Sequence, residues 1–309
     1  MEVYQDQWVK GRIMDRGVRE CASRYEALRP LLSQYTRPFT VLDLGAALGY
    51  FSFRILDEFP LARVVAIDDD PRLFYQCLAN ESGRLVFLEK RVTDTDLRLL
   101  ANCEHFDVVL ALNVIHHFDE WQNVLASLWR MGDHLITETP HPQEFQAINA
   151  RNIGDIYARL STRDHEELTR TQSHLGTMKR PMWYFHTPGN TIVRSYFTAP
   201  EGLELGRVTI VSNFFQKHVT LHRKSENRSW IAGINLQTYL SLNGRWPWPE
   251  DVALMIDCLP RPVEPHGDVK PWNFILDGDQ VFLIDGRDDR ATRLPDDFKA
   301  VSNTVRASK

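Results

Sequence analysis

The chain has 309 residues, 43 % of them hydrophobic and 25 % charged, and a formal net charge of −5. That balance fits a globular domain with a shorter second unit and disfavours nucleic acid as partner, because no broad basic surface is implied. The opening MEVYQDQWVK has no apolar signal core, no run reaches membrane-span length, and Cys21, Cys77, Cys103 and Cys258 are scattered without a C-x-x-C pair, so a cytoplasmic, reducing setting is expected.

Residues 1–37 read as mainly helical, with Tyr25, Leu28, Leu31, Leu32 and Tyr35 at helical spacing. Tyr4, Trp8 and Arg12 are candidates for a lid over a ligand, or for a helix packed on a sheet edge. Strands are expected at 40–44, 64–68, 85–88, 106–112 and 134–138, and helices at 50–58, 71–80 and 119–131. This alternation predicts an α/β fold with a doubly wound, mostly parallel sheet. Residues 141–162 read as a further helical region. TIVRSYFTA and GRVTIVSNFFQKHVTLHRK alternate β-branched and aromatic residues, as late strands that finish the sheet with an antiparallel hairpin would. SENRSW (225–230) is the expected boundary.

The densest information lies in VLDLGAALGYFS, residues 41–52. An apolar run ends in Asp43, Gly45 and Gly49 frame a short loop, and an amphipathic segment follows: a strand, a glycine turn and a helix start. A pyrophosphate-binding turn presents a bare helix N-terminus to anionic oxygens. Here Asp43 puts a carboxylate at the loop, which repels a pyrophosphate and suits a ligand carrying an ammonium and a sulfonium. Nineteen residues after Gly49, Asp68 ends the run ARVVAIDDD. At the tip of a neighbouring parallel strand it is placed to accept hydrogen bonds from ribose hydroxyls, or else to cap the turn into a helix at Pro71. A third apolar strand in FDVVLALNVIHHF stops at Asn113, followed by His116 and His117.

VLDLGAALG, VVAID and FDVVLALNVIHHF resemble the first, second and fourth motifs of class I S-adenosylmethionine-dependent methyltransferases, in family order and spacing, over roughly residues 38–140. The resemblance implies a seven-stranded Rossmann-like sheet over 38–225, preceded by a cap (1–37) and followed by an extension (226–309). It implies S-adenosylmethionine as cofactor, with Asp43, Gly45, Ala47 and Gly49 at its amino-acid end, Asp68 and the adjoining Asp69 at the ribose, and Asn113 on the methyl side. Ala47 stands where the family often has glycine. Arg91 or Val92, with Asp94 a little later, stand where it commonly has an Asp, which leaves open which of them borders the adenine. A non-catalytic S-adenosylmethionine-binding protein and a nicotinamide oxidoreductase are the rival readings.

Methyl transfer to an oxygen of high pKa needs a general base. The candidates are His116 and His117 after the fourth strand, and Glu138 and His141 after the fifth; the histidines are equally suited to capping or packing, and Glu138 to orienting a histidine. An acceptor that is already ionised, such as a phosphate, needs arginines instead, and Arg12, Arg24, Arg151 and Arg180 are available.

EPHGDVKPWNFILDGDQVFLIDGRDD contains Asp268, Asn273 five residues on, a strand–turn–strand, and Asp285. Two carboxylates and an amide carbonyl across a hairpin make a hard-cation site. The stretch resembles the catalytic loop of protein-kinase-like phosphotransferases, especially the aminoglycoside and sugar kinase branch. The resemblance implies Asp268 as base and Asn273 and Asp285 as Mg²⁺ ligands. Upstream there is no glycine-rich strand turn with a paired strand lysine and helix glutamate, so the segment reads as a shortened kinase-like hairpin that packs on the methyltransferase domain. A metal- or phosphate-contacting accessory and an active phosphotransferase are the alternatives. A methyltransferase followed by such a hairpin resembles the bifunctional enzymes that cap bacterial O-antigen polysaccharides, which implies a sugar or glycan acceptor, phosphorylated or not.

Overall fold

The computed structural model describes residues 3–187, 192–198, 204–210, 233–242, 249–259, 269–276, 278, 281–283 and 297–308. The chain opens with a hairpin of β1 (Gln7–Val9) and β2 (Arg12–Asp15), not with the expected helix; only α1 (Cys21–Leu32) keeps the helical reading. Lys10 and Gly11 between the strands both have positive φ (45° and 81°), the backbone that a two-residue hairpin turn requires.

The central layer follows with β3 (Phe39–Leu44), α2 (Tyr50–Glu58), β4 (Ala62–Asp68), α3 (Arg72–Asn80), β5 (Leu85–Glu89), α4 (Asp94–Cys103), β6 (Phe106–Leu112), α5 (Trp121–Met131) and β7 (Gly132–Glu138). Next come α6 (Ala150–Ser161), β8 (Glu166–Gln172) and β9 (Lys179–His186). The sheet has seven strands in the order β5-β4-β3-β6-β7-β9-β8; β9 runs antiparallel to β7, and β8 antiparallel to β9. Alternate residues feed two cores. Leu42, Val65, Val109 and Leu135 meet α4 and α5 on one face, while Val41, Val64, Val108 and Ile136 meet α1, α2 and α3 on the other. Burial on both faces is why these strands read as unbroken apolar runs. The chain winds outward from β3 to β5 and restarts at β6 beside β3, which opens a crevice at the carboxyl ends of those two strands.

The hairpin that completes this sheet is β8–β9. Among the described residues, β10 (Ile192–Thr198) and β11 (Glu204–Ile210), the expected candidates, pair with each other and not with this sheet. The rest of that expected strand and the SENRSW boundary lie outside the described residues. β12 (Ile234–Asn235), α7 (Leu236–Leu242), α8 (Pro249–Cys258), β13 (Phe274–Leu276), β14 (Val281–Leu283) and α9 (Phe298–Ala307) follow. The last three strands form a small antiparallel sheet, and Ile234, Tyr239, Phe274 and Val305 join the apolar cluster that covers α4 and α5. No helix among the described residues is long and apolar enough to cross a membrane.

One buried ion cluster ties the N-terminal segment to the sheet. Glu138, at the end of β7, is fully buried and is paired with Arg24 of α1 (2.9 Å), with Arg19, and with the Thr171 hydroxyl (3.1 Å). Burial alone raises its carboxyl, but the Arg24, Arg19 and Arg180 guanidiniums overcome this and hold it below the usual range. Glu138→Gln strands two buried cations and is expected to lower stability by about 3–5 kcal/mol in denaturant titrations. Glu167→Gln, which breaks a surface pair with Arg170, should change it by less than about 1 kcal/mol.

Candidate active site

The loop after β3 owes its glycines to close packing. Gly45 (φ 75°) lies where a Cβ would stand 2.9 Å from the Val114 side chain, and Gly49 (φ 75°) where one would meet Phe53 at 2.5 Å. The intervening Ala47 is left-handed as well (φ 52°), and its amide donates to Asp68 Oδ2 at 2.7 Å. Gln5 reaches over from the N-terminal segment, its Oε1 accepting from the amides of Leu48 (3.3 Å) and Tyr50 (3.4 Å) at the start of α2.

Asp43 does not face the crevice. It shares the Val41 side of β3, is buried, and accepts the Ser52 hydroxyl at 2.6 Å from the first turn of α2. Its negative charge is therefore held beneath the loop instead of against a ligand. Burial pushes its carboxyl up to about 6, against the lowering effect of the Ser52 hydrogen bond.

The crevice is a cavity of about 650 Å³, within the usual range for small-molecule sites. One end is walled by Gly45, Ala47, Ile67, Asp68, Asp69 and Val92. Asp68 Oδ1 also accepts the Asp70 amide (2.8 Å), so it serves the turn, yet each carboxylate oxygen keeps a lone pair for the cavity. Burial raises its pKa, against those two backbone hydrogen bonds. Lys90 and Arg91 complete this wall, whereas Asp94 belongs to the first turn of α4, is absent from the lining, and accepts from Asn123 at 3.3 Å.

The other end is walled by Tyr4, Asn113, His116, His174 and Arg180, while His117 lies within electrostatic reach of Asp69 and Arg91. Asn113 has a left-handed backbone (φ 64°) held by its amide bond to the Glu138 carbonyl (2.8 Å). Its Nδ2 donates to Tyr4 Oη at 2.9 Å, and its Oδ1 is buried without a partner. His116 Nδ1 is likewise buried and unpartnered. Burial, then the neighbouring His117 and Arg180, push the His116 imidazole down to about 3, so it is neutral at physiological pH. Burial also lowers His117 and His174. Arg180 is buried and bidentate on Glu144, with Nε at 2.9 Å and Nη2 at 2.5 Å, while Ser173 Oγ donates to the same carboxylate.

Of the residues singled out in the sequence, Gly45, Ala47, Asp68, Asp69, Asn113, His116 and His117 line the cavity; Asp43, Gly49, Asp94, Glu138 and His141 do not. Glu138 binds two arginines and no histidine, and His141, in the loop after β7, packs edge-on against Tyr157 of α6. Of the proposed lid, Tyr4 reaches the cavity, while Trp8 donates to Asp57 (2.7 Å) and Arg12 is exposed on β2. Arg24 is bound to Glu138 and Arg151 to Asp119, which leaves Arg180 as the arginine of that set at the cavity. His174 had no signal beyond its position in the SHLG turn, because neither flanking strand stood out. Asp268 and Asp285 lie outside the described residues; Asn273 is buried in a short turn before β13, and no cluster of three or more His, Cys, Asp or Glu among the described residues suits a metal.

The cavity fits S-adenosylmethionine: an acidic strand tip for the ribose, apolar walls from Ile67, Val92 and Leu112, and orphaned polar atoms at the far end. Residues 42–132 match the family described as "Methyltransferase domain". Among solved structures, the bifunctional kinase-methyltransferase WbdD is similar over 98 % of this chain and 84 % of its own, with 18 % identity and a TM-score of 0.50. The N-methyltransferase NodS from Bradyrhizobium japonicum WM9, in complex with S-adenosyl-L-homocysteine, matches over 53 % of this chain and 86 % of its own, with 18 % identity and a TM-score of 0.40. No curated protein matches the chain in sequence.

The raised pKa of Asp43 has a definite sign in stability. Its carboxyl stays protonated to a higher pH folded than unfolded, so folding carries no penalty below about 3.8 and the full one above about 6, near 3 kcal/mol. Asp43→Asn should therefore flatten the fall in stability across that window, as measured by denaturant midpoints from pH 3.5 to 7.

Proposed function

We propose that this chain, a class I S-adenosylmethionine-dependent methyltransferase by its domain and fold, methylates an oxygen of a small-molecule, sugar or glycan acceptor. The observation that carries this reading is one cavity with Asp68 at one end and a neutral, unpartnered histidine, His116, at the other. The sulfonium brings an activated methyl group, so the protein's work is alignment, exclusion of water and handling of one proton. Asp68 accepts the ribose hydroxyls, and Ile67, Val92 and Leu112 cover the adenine. At the far end His116 would accept a hydrogen bond from the acceptor's hydroxyl and take its proton as the methyl passes from sulfur to oxygen, the carbon–sulfur bond breaking to leave neutral S-adenosylhomocysteine.

A second acceptor chemistry has its own support. Arg180 is buried at the same end, and an imidazole with a pKa of about 3 is a weak base. A phosphorylated acceptor is already ionised; Arg180 then suits it and no base is needed. Neutral sugars, glycans and sugar phosphates, screened for uptake of a labelled methyl group, separate the two.

Asp68→Ala is expected to weaken S-adenosylhomocysteine binding at least tenfold by calorimetry with an unchanged far-ultraviolet spectrum; unaltered affinity would remove Asp68 from the site. His116→Asn should lower kcat by about 10²–10⁴ with a hydroxyl acceptor. With a phosphorylated one the loss should stay under about tenfold. With the hydroxyl acceptor, the acid limb of kcat/KM should show no break near the ordinary histidine value of about 6.5.

A further inference from the structure

The cofactor's ammonium needs an acceptor, and Asp43, the residue the sequence offers for it, is turned away onto Ser52. Asp68, Asp69 and Asp70 lie at the tip of β4, on the ribose side. Beside the glycine loop, where Val114 presses on Gly45, stands Asn113. It is 6 % exposed, lines the cavity, and carries a buried Oδ1 with no partner. Its left-handed backbone is a conformation that most residues avoid, and Asn and Asp tolerate it best. The amide's other end is satisfied: Nδ2 donates to Tyr4 Oη at 2.9 Å, and the Tyr4 ring is braced edge-on against His174 at 5.2 Å.

We propose that Asn113 Oδ1 receives the α-ammonium of S-adenosylmethionine, and that Tyr4, by accepting the Nδ2 hydrogen bond, is the positioning residue that keeps Oδ1 turned to it. This rests on the cofactor reading above and adds to it the N-terminal segment as a wall of the amino-acid subsite. With the phenol hydroxyl removed, Nδ2 is stranded and the amide turns or tilts, so the ammonium loses a charge-assisted hydrogen bond. An aspartate at 113 has no such proton and needs no Tyr4.

Calorimetry on the full chain with two probes tests this: S-adenosylhomocysteine, which has the ammonium, and 5′-methylthioadenosine, which lacks the amino-acid portion. Tyr4→Phe should weaken the first by about tenfold or more and leave the second unchanged. Tyr4→Phe combined with Asn113→Asp should recover S-adenosylhomocysteine binding, with melting temperatures confirming that each variant is folded. Loss of both probes alike in Tyr4→Phe, loss of neither, or no recovery in the double variant overturns the proposal. Should Tyr4→Phe fail to fold, Asn113→Asp alone decides: S-adenosylhomocysteine affinity kept or increased supports the role of Oδ1, and a selective loss overturns it. Failure of the unaltered protein to bind either probe overturns the cofactor reading itself.

Discussion

A single carboxylate without solvent, Glu138, organises the site it does not enter. An ionised group at that depth persists only with counter-charges in contact, and Arg19 and Arg24 supply them from the N-terminal segment. Their requirement for Glu138 draws residues 3–24 across the carboxyl edge of the sheet, where Gln5 closes the α2 terminus and Tyr4 reaches Asn113. The same residue's carbonyl holds the Asn113 amide and so supports that residue's left-handed backbone. Side chain and main chain of one residue thus serve the two walls of the far end of the cavity.

The parallel strands were legible because burial on both faces writes them as apolar runs, and β3, β4 and β6 begin or end within two residues of their expected limits. The glycine loop and Asp68 were legible for a similar reason: a turn that brings β3 close to the loop after β6 tolerates no Cβ at Gly45. What failed was orientation. Alternation along β3 sends Asp43 toward α2, and that follows from the face each residue occupies, which its type does not reveal. Glu138 misled in the same way. Its position after an apolar run suggests a general base or a group orienting a histidine, but its charged partners come from residues more than a hundred positions earlier.

The edge hairpin was hidden by its composition. β8 reads EELTRTQ, polar and largely exposed as an edge strand is, and β9 carries Pro181, which argues against an interior strand. With these two strands unseen, the turn between them, and with it His174, had no place in a sequence-based site, and Arg180 was one of four arginines with no position assigned. The N-terminal hairpin was missed because its strands are only three and four residues long, within a segment dominated by α1.

The part of the chain after residue 233 is no detachable appendage. Its apolar residues finish the covering of α4 and α5, Asn235 donates to Glu104, and Gly278 sits so close to Gly83 that a side chain there would collide with the main chain. Lys90 extends that union to the cavity: it lines the wall beneath Asp68 and donates to the carbonyl of Leu242, the last residue of α7. Excision of this portion would bare an apolar surface and remove one of the partners of the Lys90 ammonium, leaving its pair with Asp96 at 3.1 Å.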